Sequence, residues 1–371
     1  MSQIPDFTKI ALANTGGAQE PVAAAAQAWT RPEGIAVDGS GNLFVAGHSD
    51  GTWGAPVRTY SGDLDIFAAR FTSAGILQWN TFLGGVGWDV GTDVALGAGG
   101  SVYVSGDQAS WGAPLSPGGG GGVARLSQAD GTLQWNTFVA DVANSPRSTA
   151  LVTDASGMVY VAGSAWTGWG NPVSGFRGGI DGYALKLSGA GTPLWHTYIG
   201  TGSDESIEDL QVDASGHVYA IGSSSSNATW GGAIHPHSGF TDAMVVKYDP
   251  DGTRVWLTFV GGAGNDTGQG LALDKNGNVV ICGYSTAAWG SPVRAFGGGY
   301  DAYVARLAPD GNLQWTTFLG GAGLDVSAGI EVTANAIGLI GSSLAAWGTP
   351  LRAYSSGTDT FVASLNFSGG L

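Results

Sequence analysis

Cysteine, lysine and charge are what this sequence lacks most. Its one cysteine, Cys282, excludes an internal disulfide framework and any cysteine-based zinc cluster. Lysine occurs at Lys9, Lys186, Lys247 and Lys275 alone. Charged residues make up 12% of the chain, about half the ordinary ~25%. The 14 basic residues against 29 acidic ones leave a formal charge of −15. That sign argues against nucleic acid and anionic membrane surfaces as partners, because both require a basic footprint. No apolar run approaches the ~18–20 residues of a spanning helix, so membrane insertion is not expected. No basic-plus-apolar leader precedes the first repeat. A P-loop and a His-Glu-x-x-His helix are both missing. Glycine, by contrast, accounts for 65 of 371 residues, more than twice the usual ~7%. With 43% hydrophobic and 10% aromatic residues, the chain has the means to build a core and is not a disordered low-complexity sequence.

Internal repetition sets the architecture. A Trp-Gly pair recurs at Trp53, Trp111, Trp169, Trp230, Trp289 and Trp347. The spacings are 58, 58, 61, 59 and 58 residues. Five copies continue as Trp-Gly-x-Pro, and the fourth reads Trp-Gly-Gly-Ala. Two further landmarks keep the same period. One is an apolar strand ending at Gly47, Gly106, Gly163, Gly222, Gly283 and Gly341; the other is Trp-x-Thr-Phe/Tyr at Trp79, Trp135, Trp195, Trp256 and Trp315.

Each unit reads as four short strands, A to D, from alternating apolar residues between Gly, Asp and Asn turns. In the fifth unit these are Gly270–Asp274, Asn278–Tyr284, Asp301–Leu307 and Asn312–Leu319. Tight turns such as DASG and DPDG join A to B and C to D. The longer B–C and D–A loops hold Trp-Gly-x-Pro and Gly-Gly-x-Gly-x-Asp. Four antiparallel strands repeated six times describe an all-β, six-bladed β-propeller. The expectation is one domain, 1–371, with blades at about 33–84, 92–139, 148–199, 207–260, 268–319 and 327–368 plus 5–13. Residues 5–13 enter because the sixth unit ends after strand C, and Phe7–Ala11 fits the strand-D register. That segment would close the ring and remove an open edge.

The combined pattern resembles the bacterial SBBP-type β-propeller repeat: Gly-Gly-x-Gly-x-Asp, then Asp-x-x-Gly-Asn-x-Tyr-Val-x-Gly, an aromatic-Pro step, Asp-x-Phe-Val-x-Lys/Arg-Leu and Trp-x-Thr. The resemblance covers nearly the whole chain. It departs in having six units rather than the seven of the family name, and in reading Trp-Gly-x-Pro for the usual Phe-Pro. It implies a secreted or surface-attached propeller and brings no catalytic residues, so function must be sought in sites.

In an A–B–C–D meander both long loops of every blade lie at one end, and loops on a rigid scaffold are where binding residues concentrate. The candidate ligand-binding set is Trp53, Arg58, Asp89, Trp111, Trp169, Trp230, His235, Asp266, Trp289, Arg294, Asp325, Trp347 and Arg352. The tryptophans are read as aromatic platforms for sugars or as wedges buried between blades. Asp89, Asp266 and Asp325 close Gly-Gly-x-Gly-x-Asp stretches that look like the calcium nonapeptide. Each copy stands alone, however, and the acids suit turn caps better than a cation needing six to eight oxygens. Arg58, Arg294 and Arg352 share one repeat position, filled by Ser116, Ser174 and His235 elsewhere. They are forks for an anion or inter-blade ion pairs. His235 and His237 form His-Pro-His in one blade only, with no third ligand, so no metal or cofactor is expected. Cys282 reads as core filler. Trp289 with Arg294 and Trp53 with Arg58 carry the fullest chemistry, whereas blade two, degenerating to PGGGGG, should bind worst.

Three functions compete. The first is a non-catalytic extracellular binding propeller that recognises a carbohydrate or a cell-surface protein through several blades, with contacts summing by avidity. The second is an enzyme, hydrolase or lyase, with one asymmetric site at the channel mouth, using Asp204, Glu205, Glu208 and Asp209 with His235 and His237. The third is a purely structural or adhesion module.

Overall fold

A computed structural model of the protein describes residues 28–108, 111–139, 146–225 and 232–371. All of its regular structure is β. The first blade is β1 (Thr30–Val37), β2 (Leu43–Ser49), β3 (Asp65–Phe71) and β4 (Leu77–Leu83). The second is β5 (Val90–Gly97), β6 (Ser101–Gln108), β7 (Gly120–Ser127) and β8 (Leu133–Phe138). The third is β9 (Arg147–Thr153), β10 (Val159–Ala165), β11 (Asp181–Leu187) and β12 (Pro193–Ile199). The fourth is β13 (Glu205–Val212), β14 (Val218–Ser224), β15 (Asp242–Tyr248) and β16 (Arg254–Val260). The fifth is β17 (Asp266–Leu273), β18 (Val279–Ser285), β19 (Asp301–Leu307) and β20 (Leu313–Leu319). The sixth has three strands, β21 (Asp325–Val332), β22 (Ile337–Ser343) and β23 (Asp359–Leu365). Each sheet is ordered as the chain runs, and the architecture is a six-bladed β-propeller. The expected closing strand, residues 5–13, lies outside the described residues.

Two compact units make up the chain. One comprises the described residues up to Pro172 with Leu185–His196, the other Val173–Ala184 with Thr197–Leu371. In the first unit, β1 packs on β5 and β5 on β9; in the second, β13 packs on β17 and β17 on β21. The first strand of a blade thus faces the first strand of the next, and the fourth strand is the outer one. The core of the first unit gathers Phe44, Trp79, Trp111 and Phe138 from two blades. That of the second gathers Tyr219, Trp256, Trp289, Tyr303 and Phe318.

Local chemistry explains the repeat. In the first hairpin turns, Asp38 accepts the N–H groups of Ser40 and Asn42, and Asp274 those of Asn276 and Asn278. These are side-chain caps that make Asp-x-x-Gly a turn signal. Three strand-D tryptophans donate Nε1–H across the blade boundary, Trp79 to Gln128 O, Trp256 to Pro309 O and Trp315 to Phe367 O, each at 3.1 Å, whereas the Nε1 of Trp135 is buried without a partner. An indole buried with its N–H satisfied is a structural wedge.

The first strands begin earlier than the periodicity predicts: β17 starts at Asp266, not Gly270. A β-bulge between Gly268 and Gly270 breaks the two-residue period, and the same irregularity recurs at Gly91/Asp93, Ile207/Asp209 and Ser327/Gly329. Periodic reading detects only the stretch beyond it. The bulge also aims side chains between blades. Asp93 accepts Leu151 N and Asp209 accepts Leu271 N, both at 2.8 Å.

Candidate functional site

The Trp-Gly-x-Pro loops lie along the edge of the outer strand. Val57 N bonds Asn80 O, and Phe82 N returns a bond to Arg58 O. The same pair of bonds joins Val293 to Thr316 and Phe318 to Arg294. The loop therefore pairs the edge of the outer strand, which would otherwise present bare N–H and C=O groups. Reaching that position needs a left-handed residue after the tryptophan. Gly54, Gly112, Gly170, Gly290 and Gly348 have φ of 65°, 66°, 52°, 66° and 64°, where a side chain would be strained. Asn80 and Asn136 lock the turn by donating to the carbonyls of Trp53 and Trp111.

The loop tryptophans point inward. Trp111, Trp169 and Trp289 are buried, Trp289 with 7% exposure. Trp289 packs edge-on against Tyr303 and Phe318 and donates Nε1–H to Ser285 Oγ at 3.2 Å. Trp169 stacks on His196 at 4.9 Å. Trp53 and Trp347 are partly buried against Phe67 and Phe361. Trp230 lies outside the described residues. Contrary to the pairing expected from sequence, the arginines do not join their own loop's tryptophan. Arg58 covers Trp111 of the next blade, its Cζ 4.8 Å from the ring centroid, and Arg294 covers Trp347 at 5.5 Å. Their forks are spent on backbone: Arg58 bonds Phe82 O and Gly84 O, and Arg294 bonds Phe318 O and Gly320 O. Arg352 is exposed.

Carboxylates sit in pairs beside these forks. Asp89, Asp266 and Asp325 are fully buried and accept the N–H groups of Gly85, Gly262 and Gly321. A second acid, unnoticed in the sequence, starts the third strand of most blades. Asp65, Asp181, Asp242 and Asp301 are also fully buried, and each accepts a backbone N–H four residues upstream. The two acids nearly meet. A Cβ on Gly320 would lie 2.6 Å from Asp301 Oδ1 and 2.8 Å from Asp325 Oδ2; on Gly84, 2.9 Å from Asp65 Oδ1 and 2.7 Å from Asp89 Oδ2. That proximity is why the motif opens on glycine. Burial pushes Asp301 up to about 6, with Asp325 adding and Arg294 opposing. Asp181 is pushed up to about 6 likewise, Glu205 adding to the burial effect and Arg177 opposing it.

The remaining candidates are placed as follows. His235 is half-buried, and its carbonyl accepts Phe259 N. His237 donates Nε2–H to Ser224 O and packs edge-on against Phe259. The acidic run is occupied by structure: Asp204 accepts Ile180 N, Glu205 accepts Thr201 N and Ser224 Oγ, and Asp209 accepts two backbone amides. Among the described residues no group of three or more His, Cys, Asp or Glu side chains could hold a metal. Cys282 is buried among Val280, Val304 and Leu339, its thiol pushed up to about 12 by burial.

Exposed apolar chemistry sits elsewhere on the same loops. Short parallel bridges zip the end of the B–C loop to the D–A loop: Leu64 to Trp88, Thr241 to Asn265 and Tyr300 to Leu324. At these zippers Val86 and Trp88 are 87% and 77% exposed, Phe240 is 74% exposed, and Tyr300 and Leu324 are also exposed. Sequence reading missed them. They stand at the variable positions of Gly-Gly-x-Gly-x-Asp and just ahead of the third-strand acid, and a large apolar residue at a variable loop position was the available signal.

The profile of the SBBP family, a β-propeller repeat, matches residues 23–52 and 255–288. Within those two stretches the chain carries the SBBP-type β-propeller repeat. The regulatory protein FlaEY of Caulobacter vibrioides is 30% identical to this chain over 175 residues, 44% of this chain and 18% of that one. An uncharacterized WD repeat-containing protein, L264, of Acanthamoeba polyphaga mimivirus is 32% identical over 59 residues, 16% of this chain and 4% of that one. The matches thus span under a fifth of either curated relative. Among solved structures the chain is similar to BamB from Moraxella catarrhalis, with 14% identity, a TM-score of 0.40, and coverage of 84% of this chain and 95% of that one. It is also similar to a protein of unknown function from Dyadobacter fermentans DSM 18053, with 13% identity, a TM-score of 0.42, and coverage of 74% and 78%. No helix among the described residues is long and apolar enough to cross a membrane.

Proposed function

We propose that this SBBP propeller is a non-catalytic binding module that works outside the cell and engages a surface partner through the loop ends of several blades. The observation that carries this reading is the exposure of Trp88, Val86, Phe240, Tyr300 and Leu324 on paired, hydrogen-bonded loops. Large exposed apolar side chains on ordered loops mark interaction surfaces, and aromatics supply much of the energy at such sites. Repeating them blade by blade lets weak contacts sum by avidity. The scarcity of lysine and the −15 charge favour an exported protein over a nucleic-acid binder.

The partner is a surface protein; a glycan is the second reading, favoured by Trp88, an exposed indole face able to stack on a sugar ring. Parallel glycan and surface-protein arrays, probed with wild type and with Trp88→Ala, separate the two. Wild type should bind one class, and Trp88→Ala should lose at least tenfold while melting like wild type. Equal binding by both proteins would remove the loop zippers from the site. Fractionation of the native source tests the compartment, and recovery in the cytosol would overturn that part.

A further inference from the structure

Asp63 stands where other blades have glycine. Its φ is 60°, whereas the third, fifth and sixth blades place Gly179, Gly299 and Gly357 there at 66°, 70° and 68°. The first and sixth blades even clamp this turn alike, Tyr60 donating its hydroxyl to Asp63 O at 2.7 Å and Tyr354 to Gly357 O at 2.6 Å. Asp63 is the one non-glycine among the described residues with positive φ, a region that disfavours a side chain. Asp offsets part of that cost when its carboxylate bonds nearby backbone. Among the described residues the Asp63 carboxylate accepts no hydrogen bond. Strain kept without local compensation points to a use for the side chain.

The equivalent glycines show which way that side chain leaves. A Cβ on Gly179 would strike the carbonyl of Ser203 and lie 3.3 Å from the carboxylate of Asp204, and one on Gly299 would strike the carbonyl of Gly323. Asp204 and Leu324 are the loop-bridge residues of their blades, as Trp88 is of the first. Asp63 is thus turned toward the loop of Trp88. The bond between the two loops is longer there, Leu64 N to Gly87 O at 3.3 Å against Tyr300 N to Gly323 O at 3.0 Å. Two other indoles of the same compact unit are covered by arginines, Trp111 by Arg58 with Cζ 4.8 Å from the ring centroid and Trp166 by Arg147 at 5.6 Å. Arg147 also pairs with Asp107 at 3.4 Å, which makes a set of indole, cation and carboxylate. At Trp88, 77% exposed, the indole and the carboxylate are present, and no arginine or lysine among the described residues lies over the ring. The surrounding field is negative. Burial first, then the charges of Asp65, Asp50 and Asp63, hold the Tyr60 phenol above its usual range, and Arg58 is spent on the carbonyls of Phe82 and Gly84.

We propose that Trp88 and Asp63 form a site for a cationic side chain, lysine or arginine, presented by the protein partner. The cation would lie over the indole face and pair with the carboxylate, the combination that Trp166, Arg147 and Asp107 make within the chain. Val86, 87% exposed, offers apolar surface for the aliphatic stem of that side chain. The inference rests on the binding-module reading and names the chemistry its partner presents, but its test needs no partner.

The probes are end-capped trilysine, triarginine and tri-Nε-acetyllysine peptides, titrated into the full chain at matched ionic strength. The readout is the indole N–H resonance of Trp88, identified as the one absent from Trp88→Phe. A charged peptide should move it saturably and the acetyllysine peptide should not, and the tighter of the two charged peptides tells lysine from arginine. Asp63→Gly installs the residue of the other blades, should melt at or above wild type, and should bind the charged peptides at least fivefold more weakly. Asp63→Asn, also tolerant of positive φ, should weaken them as much, so the result does not hang on one variant. Asp130→Asn removes the same charge from a C–D turn, keeps the acceptor for Thr132, and should leave binding unchanged. A resonance that no charged peptide moves, equal movement by the acetyllysine peptide, full binding by Asp63→Gly and Asp63→Asn, or equal weakening by Asp130→Asn overturns the proposal. So does movement by the neutral glycan maltohexaose alone. Array binding that Trp88→Ala loses and Asp63→Gly keeps would leave the loop-end reading standing and sink only this one.

Discussion

Replacing Trp289 by alanine separates a structural wedge from a binding platform. Its ring is 7% exposed and packs against Tyr303 and Phe318, and its N–H is bonded to Ser285 Oγ. Truncating such an aromatic leaves a cavity as well as lost burial, at a cost of about 3–5 kcal/mol. For a unit of this size each kcal/mol lowers the melting temperature by about 2–4 °C, so the expected drop is roughly 6–20 °C. Trp289→Phe keeps the edge-on packing and loses the N–H bond, and should cost about 0.5–1.5 kcal/mol. Urea unfolding followed by far-UV circular dichroism and by fluorescence reads both variants, and two probes are needed because two compact units need not unfold together. A Trp289→Ala protein less than about 1 kcal/mol below wild type would refute the wedge assignment.

Three further outcomes follow from the acid pairs and their forks. Gly320→Ala puts a Cβ within 3 Å of Asp301 and Asp325 oxygens and should destabilise by about 1–3 kcal/mol, measured by chemical denaturation. Arg294→Ala strands two carbonyls and uncovers Trp347; a loss of about 1.5–3 kcal/mol and a red-shifted emission spectrum are expected. Asp301 is raised to about 6 in the folded protein, so the folded state holds a proton that the unfolded chain has released. Its stabilising contribution is complete below about pH 4 and is lost as pH rises through about 6. Asp301→Asn should therefore remove that part of the decline and melt above wild type at pH 7.5; parallel pH profiles for the two proteins would contradict the sign.

Much of the fold was legible because three landmarks share one period, and each proved to be a physical necessity. In three blades the Trp-x-Thr tryptophan bonds the next turn, the glycine of Trp-Gly adopts a positive φ, and a Cβ on the glycine of the second strand, as at Gly47 or Gly283, would strike the backbone of the first strand. What hid from the sequence was everything that crosses blades. Arg58 looks like a partner of Trp53, five residues away, yet it covers Trp111 because the loop turns back along the outer strand. The paired acids were half visible: Asp89 ends a recognised motif, whereas Asp65 reads only as the first residue of a strand. Trp88 was missed for the opposite reason, since it occupies a variable position that a repeat-based reading averages away.

Amide hydrogen–deuterium exchange of the protein with and without the partner that the arrays identify tests the binding face most directly. The account predicts new protection at residues 85–88, 238–241, 298–300 and 321–324, the zippered loop ends, with the opposite turns at 38–42, 213–217 and 274–278 unchanged. Protection confined to those opposite turns, with the loop ends exchanging as in the free protein, would contradict it.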